Sequence, residues 1–157
     1  MPSLTRMRLT LRPAASSDAA LLRSWRNDPD TRAASRNTAE VGEAEHESWL
    51  AGVLADAEQR LFVAEQEGRP VGQVRLQRAG DAWEISVTVS PEARGAGLGA
   101  ALIEGGVERL TAEGAEGPVE AWVRAGNAAS LGAFRRGGFS EEPERSNADY
   151  TLLTRQL

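Results

Sequence analysis

The chain has 157 residues, 41% hydrophobic and 26% charged, the balance of a globular domain long enough to bury a proper core. It has no cysteine and a single histidine, His46, which excludes a disulfide framework, a thiol nucleophile and a histidine-rich metal site. A formal net charge of −5 argues against a nucleic-acid binder that relies on a general basic face, although all 18 basic residues are arginine.

No apolar run approaches the roughly 20 residues of a membrane span. Met1 to Arg6 lack the hydrophobic core of a signal peptide. With no internal repeat or linker, the expectation is one cytoplasmic domain over residues 1–157, acting without membrane or nucleic acid. A homodimer is compatible with this reading.

In chain order, Met7, Leu9 and Leu11 alternate with polar residues and predict a strand that Pro13 stops. Ser16, Ser17 and Asp18 offer N-caps for a helix running to about Asn27 and burying Leu21, Leu22 and Trp25. Asp28-Pro29 breaks it. Residues 28–42 read as a polar loop, either functional or a plain solvated connection. A second helix is expected from Glu43 to Asp56. His46, Trp49, Leu50, Val53 and Leu54 share one of its faces, where a histidine is more often packed than catalytic. Leu61–Glu65 and Val71–Arg78 predict a hairpin around Glu67-Gly68-Arg69-Pro70.

The most informative stretch follows. Ile85, Val87 and Val89 alternate with Glu84, Ser86 and Thr88, the period of a strand, and Pro91 ends it. In Arg94-Gly95-Ala96-Gly97-Leu98-Gly99-Ala100 the glycines permit positive φ and remove Cβ atoms from the path of a ligand. From Leu98 the period becomes helical, to about Glu113, with Gly114 as the stop. Unpaired N–H groups at a helix start suit a phosphate, and Arg94 adds a planar cation, so the stretch reads as a pyrophosphate cradle. It is not a Walker A loop, because no Gly-Lys-Ser/Thr follows. It does satisfy Gly-x-Gly-x-x-Ala at Gly95, Gly97 and Ala100, with Glu120 downstream as a dinucleotide fingerprint requires. Against a dinucleotide fold, Pro91 to Arg94 separate strand from glycines, and too few residues remain for two βαβαβ halves. Val119–Arg124 then predicts a strand, Asn127–Arg136 a helix closed by Gly137-Gly138, and Phe139–Glu144 and Tyr150–Arg155 two closing strands. The order implies a mixed α/β fold, a largely antiparallel sheet of about seven strands with helices on both faces.

Arg94-Gly95-Ala96-Gly97-Leu98-Gly99 resembles the Arg/Gln-x-x-Gly-x-Gly/Ala signature of the GNAT N-acetyltransferases. Asn127-Ala128-Ala129-Ser130, Phe134 and Gly138-Phe139 resemble that family's second motif. The resemblance implies the GNAT-like acyl-CoA N-acyltransferase fold, in which the fourth and fifth strands splay around a pantetheine arm. It implies acetyl-CoA as co-substrate, no metal, and a small-molecule amine as acceptor. Gly95, Ala96, Gly97, Leu98, Gly99 and Ala100 would bind the pyrophosphate, Val87 and Val89 would pair with the pantetheine and acetyl groups, and Asn127 and Phe134 would line the arm.

Acetyl transfer to an amine needs a held donor, a base, oxyanion stabilisation and an acid. The candidate base is Glu84, on the strand leading to the cradle, where partial burial makes a carboxylate a better base. The alternative is a solvated glutamate or simple ion pair. The family's usual proton-donating Tyr is replaced by Phe134, which cannot donate. Tyr150, the only tyrosine, is far along the chain. This departure keeps open a non-catalytic acetyl-CoA-binding module. For the acceptor, Trp25-Arg26-Asn27, Arg32 and His46-x-x-Trp49 resemble N-acetyltransferases of nucleotide-linked amino sugars, and share features with those acting on ribosomal-protein N-termini. Arg26, Arg32 and Arg36 would meet a diphosphate, with His46 beside them. Otherwise the tryptophans are core and the arginines solvated.

Overall fold

The computed structural model describes residues 8–157, so Met7 of the expected first strand lies outside the described residues. Strand β1 (Leu9–Pro13) leads through a 3-10 turn at Ser16–Asp18 into helix α1 (Ala19–Asn27). Helices α2 (Pro29–Ala34) and α3 (Glu43–Ala55) follow. Strands β2 (Gln59–Gln66), β3 (Arg69–Ala79) and β4 (Ala82–Val89) form a meander. Helix α4 (Leu98–Ala112) crosses to β5 (Pro118–Arg124). Helix α5 (Ala128–Arg136) and strands β6 (Ser140–Glu141) and β7 (Tyr150–Gln156) complete the fold. The seven strands make one sheet in the order β1-β2-β3-β4-β5-β7-β6. Neighbours are antiparallel except β4 and β5, which the α4 crossover makes parallel. This is the mixed α/β architecture expected.

Alternation in β2 divides the core. Phe62 and Ala64 join Val74, Leu76, Ile85 and the α4 residues Leu102, Ile103, Val107 and Leu110 in one cluster. Leu61 and Val63 face the other way and pack with Leu22, Trp25, Leu50 and Val53 of α1 and α3. Helix α4 lies close on the sheet because it turns glycine toward it. A Cβ on Gly106 would stand 2.8 Å from Val74 Cγ1, and one on Gly105 3.1 Å from Leu11 Cδ1. Side chains on that face would push helix and sheet apart.

Three expectations change. Residues 28–42 are not all loop, because α2 begins at Pro29. Asp28 ends α1 and also caps α2, its carboxylate accepting the Thr31 N–H at 3.2 Å, with Pro29 where a missing donor costs nothing. On α3, His46, Leu50 and Val53 are buried, but Trp49 and Leu54 stay 39% and 41% exposed. The strand expected over Phe139–Glu144 shortens to Ser140–Glu141. Phe139 is buried in the core, and Glu142 accepts N–H groups from Arg145 and Ser146 in a turn.

The start of the α1 segment is tied to β1 by a polar cluster. Arg12 donates to both Asp18 oxygens at 2.8 and 2.9 Å and to Glu65 at 3.1 Å, and Asp18 also accepts the Ala15 N–H. The Arg12 hydrogen bond holds the buried Asp18 carboxyl below its ordinary range. A depressed carboxyl stabilises the fold above its unfolded value, about 3.9, and that stabilisation is lost as pH falls through the folded value. We therefore expect Asp18→Asn to lower the unfolding free energy at pH 7 by about 1–2 kcal/mol, since Arg12 is partly solvated. In urea unfolding, the gap between variant and parent should narrow progressively as the pH falls below about 3.9. A gap that persists unchanged into acid would remove the ion pair as its cause.

Candidate active site

Strands β4 and β5 pair only at Trp83–Val119 and Glu84–Glu120, and beyond them they separate. Each remains fully paired on its other side, β4 with β3 and β5 with β7. Ser90 donates its N–H to Val71 O at 2.8 Å, which fixes the phase of the β3–β4 ladder. In an antiparallel pair the bonded residues alternate. Glu84, Ser86 and Thr88 therefore exchange with β3, while Ile85, Val87 and Val89 turn their N–H and C=O groups toward the gap. The wedge thus has an unpaired backbone edge on β4, at the two valines singled out in the sequence.

The cradle closes the narrow route from that edge to α4. Gly95 and Gly97 take φ of +85° and +74°, conformations in which a side chain is strained, and a Cβ on either would enter open space. Gly97 caps α4 without a side chain. Among the described residues, no group of the chain accepts from the backbone N–H of Gly95, Ala96, Gly97, Leu98, Gly99 or Ala100. Such a row of free donors at the positive end of a fifteen-residue helix is a site for an anion.

Arg94 is engaged within the chain. Its guanidinium donates to Asp28 at 2.8 Å, Thr31 Oγ1 at 3.0 Å and Asp30 at 3.4 Å. It pins the cradle to the start of α2, and its hydrogen bond is the main cause holding the Asp28 carboxyl below its usual range. The donors the cradle leaves open are those of its backbone.

A cavity of about 480 Å³ opens into the wedge, reaching Val87, Asn127 and Phe134. The α1–α3 region covers it, and β3, β4 and β5 floor it with their polar faces. Glu84 is half-buried there, 3.9 Å from Arg36, and Glu120 beside it is buried and paired with Arg145 at 2.8 Å. Three buried side-chain atoms on its walls, Arg26 Nη1, Gln73 Oε1 and His46 Nδ1, have no partner among the described residues. Buried polar atoms are rarely left so, and their convergence on one cavity marks a place for a polar ligand.

Of the acceptor residues expected, Arg26 and His46 line this cavity and Arg32 does not. Arg32 donates to Thr38 O at 3.1 Å and Arg26 to Asn37 O at 2.6 Å, so both fold the segment after α2. His46 is buried against Trp49, ring centroids 5.3 Å apart, and burial pushes its pKa down, keeping it neutral at pH 7. Asn127 caps α5 through the Ser130 N–H at 3.2 Å and still lines the cavity. Phe134 is buried edge-on to Phe139. Tyr150, remote in sequence, reaches the same cavity, beneath the guanidinium groups of Arg124 and Arg36 at 5.3 and 5.8 Å.

Sequence reasoning missed Gln73, Arg75 and Trp122, and met Glu120 only as part of a dinucleotide fingerprint; all four also line the cavity. The signal was present. Gln73, Arg75 and Gln77 alternate with Val74 and Leu76 on a strand flanked on both sides, where a polar face must be either solvated or a lined cavity.

The model of the acetyltransferase (GNAT) family matches residues 20–139. The chain belongs to this family. Among solved structures, this GNAT chain is similar to a ribosomal-protein-alanine N-acetyltransferase from Brucella melitensis, with 27% identity and a TM-score of 0.79 over 94% of this chain and 99% of that one. A domain from Methanocaldococcus jannaschii has a TM-score of 0.82 at 18% identity, covering 96% and 99%. Aminoglycoside acetyltransferase AAC(6')-Ib, solved in complex with coenzyme A, has a TM-score of 0.80 at 17% identity, covering 95% of each chain. No curated protein matches the sequence. Among the described residues no helix is long and apolar enough to cross a membrane, and no cluster of three metal-ligating side chains occurs.

The Arg94 contacts carry a prediction of their own. Arg94→Ala should raise amide hydrogen exchange across residues 29–36 by about tenfold, the loss of roughly one charged contact's worth of local stability, while α4 keeps its protection. Unchanged exchange in α2 would show that its cap, not Arg94, holds it.

Proposed function

We propose that this protein moves an acetyl group from acetyl-CoA to the primary amine of a small acceptor, a nucleotide-linked amino sugar fitting best. The observation that carries the reading is the wedge: an unpaired β4 edge running from the free N–H groups of the cradle to Glu84. The residues fit the co-substrate, since Gly95 to Ala100 present the donors a diphosphate requires and Val87 and Val89 present strand-like partners for an amide-rich arm. When bound, acetyl-CoA supplies an activated acetyl thioester. The protein's own groups do the rest. Val87 and Val89 N–H groups orient the arm and are aimed where an oxyanion would need a donor. Glu84 takes the proton of the incoming ammonium, directly or through one water. Phe134 packs against the arm. Tyr150 is the phenol that shares the cavity with Glu84, and it replaces the missing family Tyr as proton donor to the leaving thiolate.

The cavity walls support an acceptor bearing negative charge. Arg26, Arg36, Arg75 and Arg124 line it against Glu45, Glu84 and Glu120. Polyamines and aminoglycosides are polycations, which such a mixture does not favour. A second reading, a peptide N-terminus as acceptor, is favoured by the likeness to the Brucella melitensis enzyme.

Donor binding is checked by thermal unfolding. Coenzyme A at about 100 times its dissociation constant should stabilise the fold by roughly 2.7 kcal/mol and raise Tm by several degrees. Gly97→Val, which both strains a positive-φ site and fills the cradle, should abolish the rise. A larger rise with NAD than with coenzyme A would overturn the assignment.

The chemistry is checked by thiol release over a panel of amines, amino sugars and peptides. Glu84→Gln should keep the coenzyme A shift and lose about 100-fold in kcat. Tyr150→Phe should lose about tenfold or more, and Phe134→Tyr in a Tyr150→Phe background should restore part of it. Full activity in Glu84→Gln removes it as base. Coenzyme A binding with no turnover on any amine would leave a binding module.

A further inference from the structure

Arg75 lines the cavity floor, and the reaction above gives it no part of its own. It stands on β3 opposite Ser86, with its side chain on the face that carries Glu84. Its one hydrogen bond among the described residues is donated to Gln77 Oε1 at 2.9 Å, a neutral acceptor. It belongs to no ion pair there, whereas Arg36 sits beside Glu84 and Arg124 holds Ser35 O at 2.8 Å. Trp49, half-exposed at the rim, lies over its guanidinium at 6.0 Å. A guanidinium cannot shed its charge at neutral pH. Burial pushes its pKa down, opposed by the nearby charge of Glu84 and, to a smaller extent, reinforced by Arg36. A partly buried cation without a carboxylate in contact is held at a cost that an arriving anion relieves.

Its spacing from the base matters as well. Glu84 pairs with Gln77 and Ser86 with Arg75, so Arg75 and Glu84 are diagonal neighbours whose backbones are roughly 7–8 Å apart and whose side chains share one face of the cavity floor.

We propose that Arg75 selects the acceptor: it takes the phosphate of a phosphorylated amino sugar and thereby sets the sugar's amine against Glu84. The proposal deepens the acetyltransferase reading and rests on it. It moves the phosphate anchor from Arg26 and Arg32, which fold the segment after α2, to a floor residue with donors to spare. A planar fork can grip two phosphate oxygens at once, which an ammonium cannot.

The test is calorimetric binding of glucosamine, glucosamine 1-phosphate and UDP-glucosamine to the coenzyme A-saturated protein, with thiol release measured in parallel. The parent should bind glucosamine 1-phosphate at least about tenfold more tightly than glucosamine, and the preference should shrink as salt rises. Arg75→Gln should erase the preference while keeping the coenzyme A thermal shift, Arg75→Lys should restore part of it, and Arg32→Ala should leave it intact. UDP-glucosamine binding tighter than the sugar phosphate identifies a nucleotide-linked acceptor, and equal binding a simple sugar phosphate. Either supports the anchor. Equal affinity for glucosamine and its phosphate in the parent, or a preference surviving Arg75→Gln, overturns it. A phosphate preference without any thiol release leaves the anchor standing and sinks the acetyltransferase reading. Thiol release from plain amines without a phosphate preference does the reverse.

Discussion

Strands β4 and β5 exchange hydrogen bonds only as far as Glu84 and Glu120, and an unpaired strand edge inside a protein costs free energy unless something else satisfies it. The wedge stays open because each arm is locked elsewhere: β4 to β3 over its whole length, and β5 to β7 from Pro118 to Arg124. Two intact half-sheets, each right-handedly twisted, meet at one short parallel contact. The α4 crossover forces that contact to be parallel, and its glycine face draws the helix down until the cradle stands at the mouth of the gap. The backbone edge, the anion site and the placement of Glu84 are thus consequences of one topological choice.

The other face of the same strands bears a different cost. Gln73, Arg75, Glu84, Glu120 and Arg124 occupy positions that would hold Val or Leu if stability alone were selected. The protein covers them with α1, α2 and α3 rather than leaving them to water. Arg124 and Arg26 donate to carbonyls of residues 35–37, and Asn27 bonds both backbone groups of Val41. The segment from 28 to 42, polar and nearly devoid of buried residues, is therefore held by side chains that reach out of the sheet and α1. It is a roof built from hydrogen bonds over a cavity built from charge.

Much of this was legible in the sequence, for reasons that differ by element. Strand β4 and helix α4 announce themselves by period, and the glycines between them by the conformations only glycine adopts freely. Asp28-Pro29 was misread because one dipeptide both ends a helix and starts one; only the direction of the Asp28 carboxylate, toward Thr31 N–H, decides. The partners of Arg94 were not legible because a cation in a phosphate motif has competitors that are distant in sequence, here Asp28 and Asp30. Arg75 and Glu120 were not placed in the cavity because alternation shows that a face is polar but not whether it meets solvent or a roof. Tyr150 was undervalued for the same reason. Strand order, not sequence distance, places β7 beside β5.

The strand order also bears on how an acid and a base can cooperate here. Glu84 stands on β4, one arm of the wedge, while Tyr150 stands on β7 opposite Arg124, at the far end of the other arm. The separation of the two groups in the proposed reaction is therefore set by the angle between half-sheets rather than by any loop. The family position held by Phe134 lies on α5, which packs against α4, so a donor there would be placed by the cradle helix. A donor on β7 is placed with the acceptor roof instead, through Arg124 and its bonds to Ser35 O. Arg94 ties that roof back to the cradle through Asp28. In this chain the cradle, the roof and the proposed acid form one connected set of contacts, which a tyrosine at position 134 would not require.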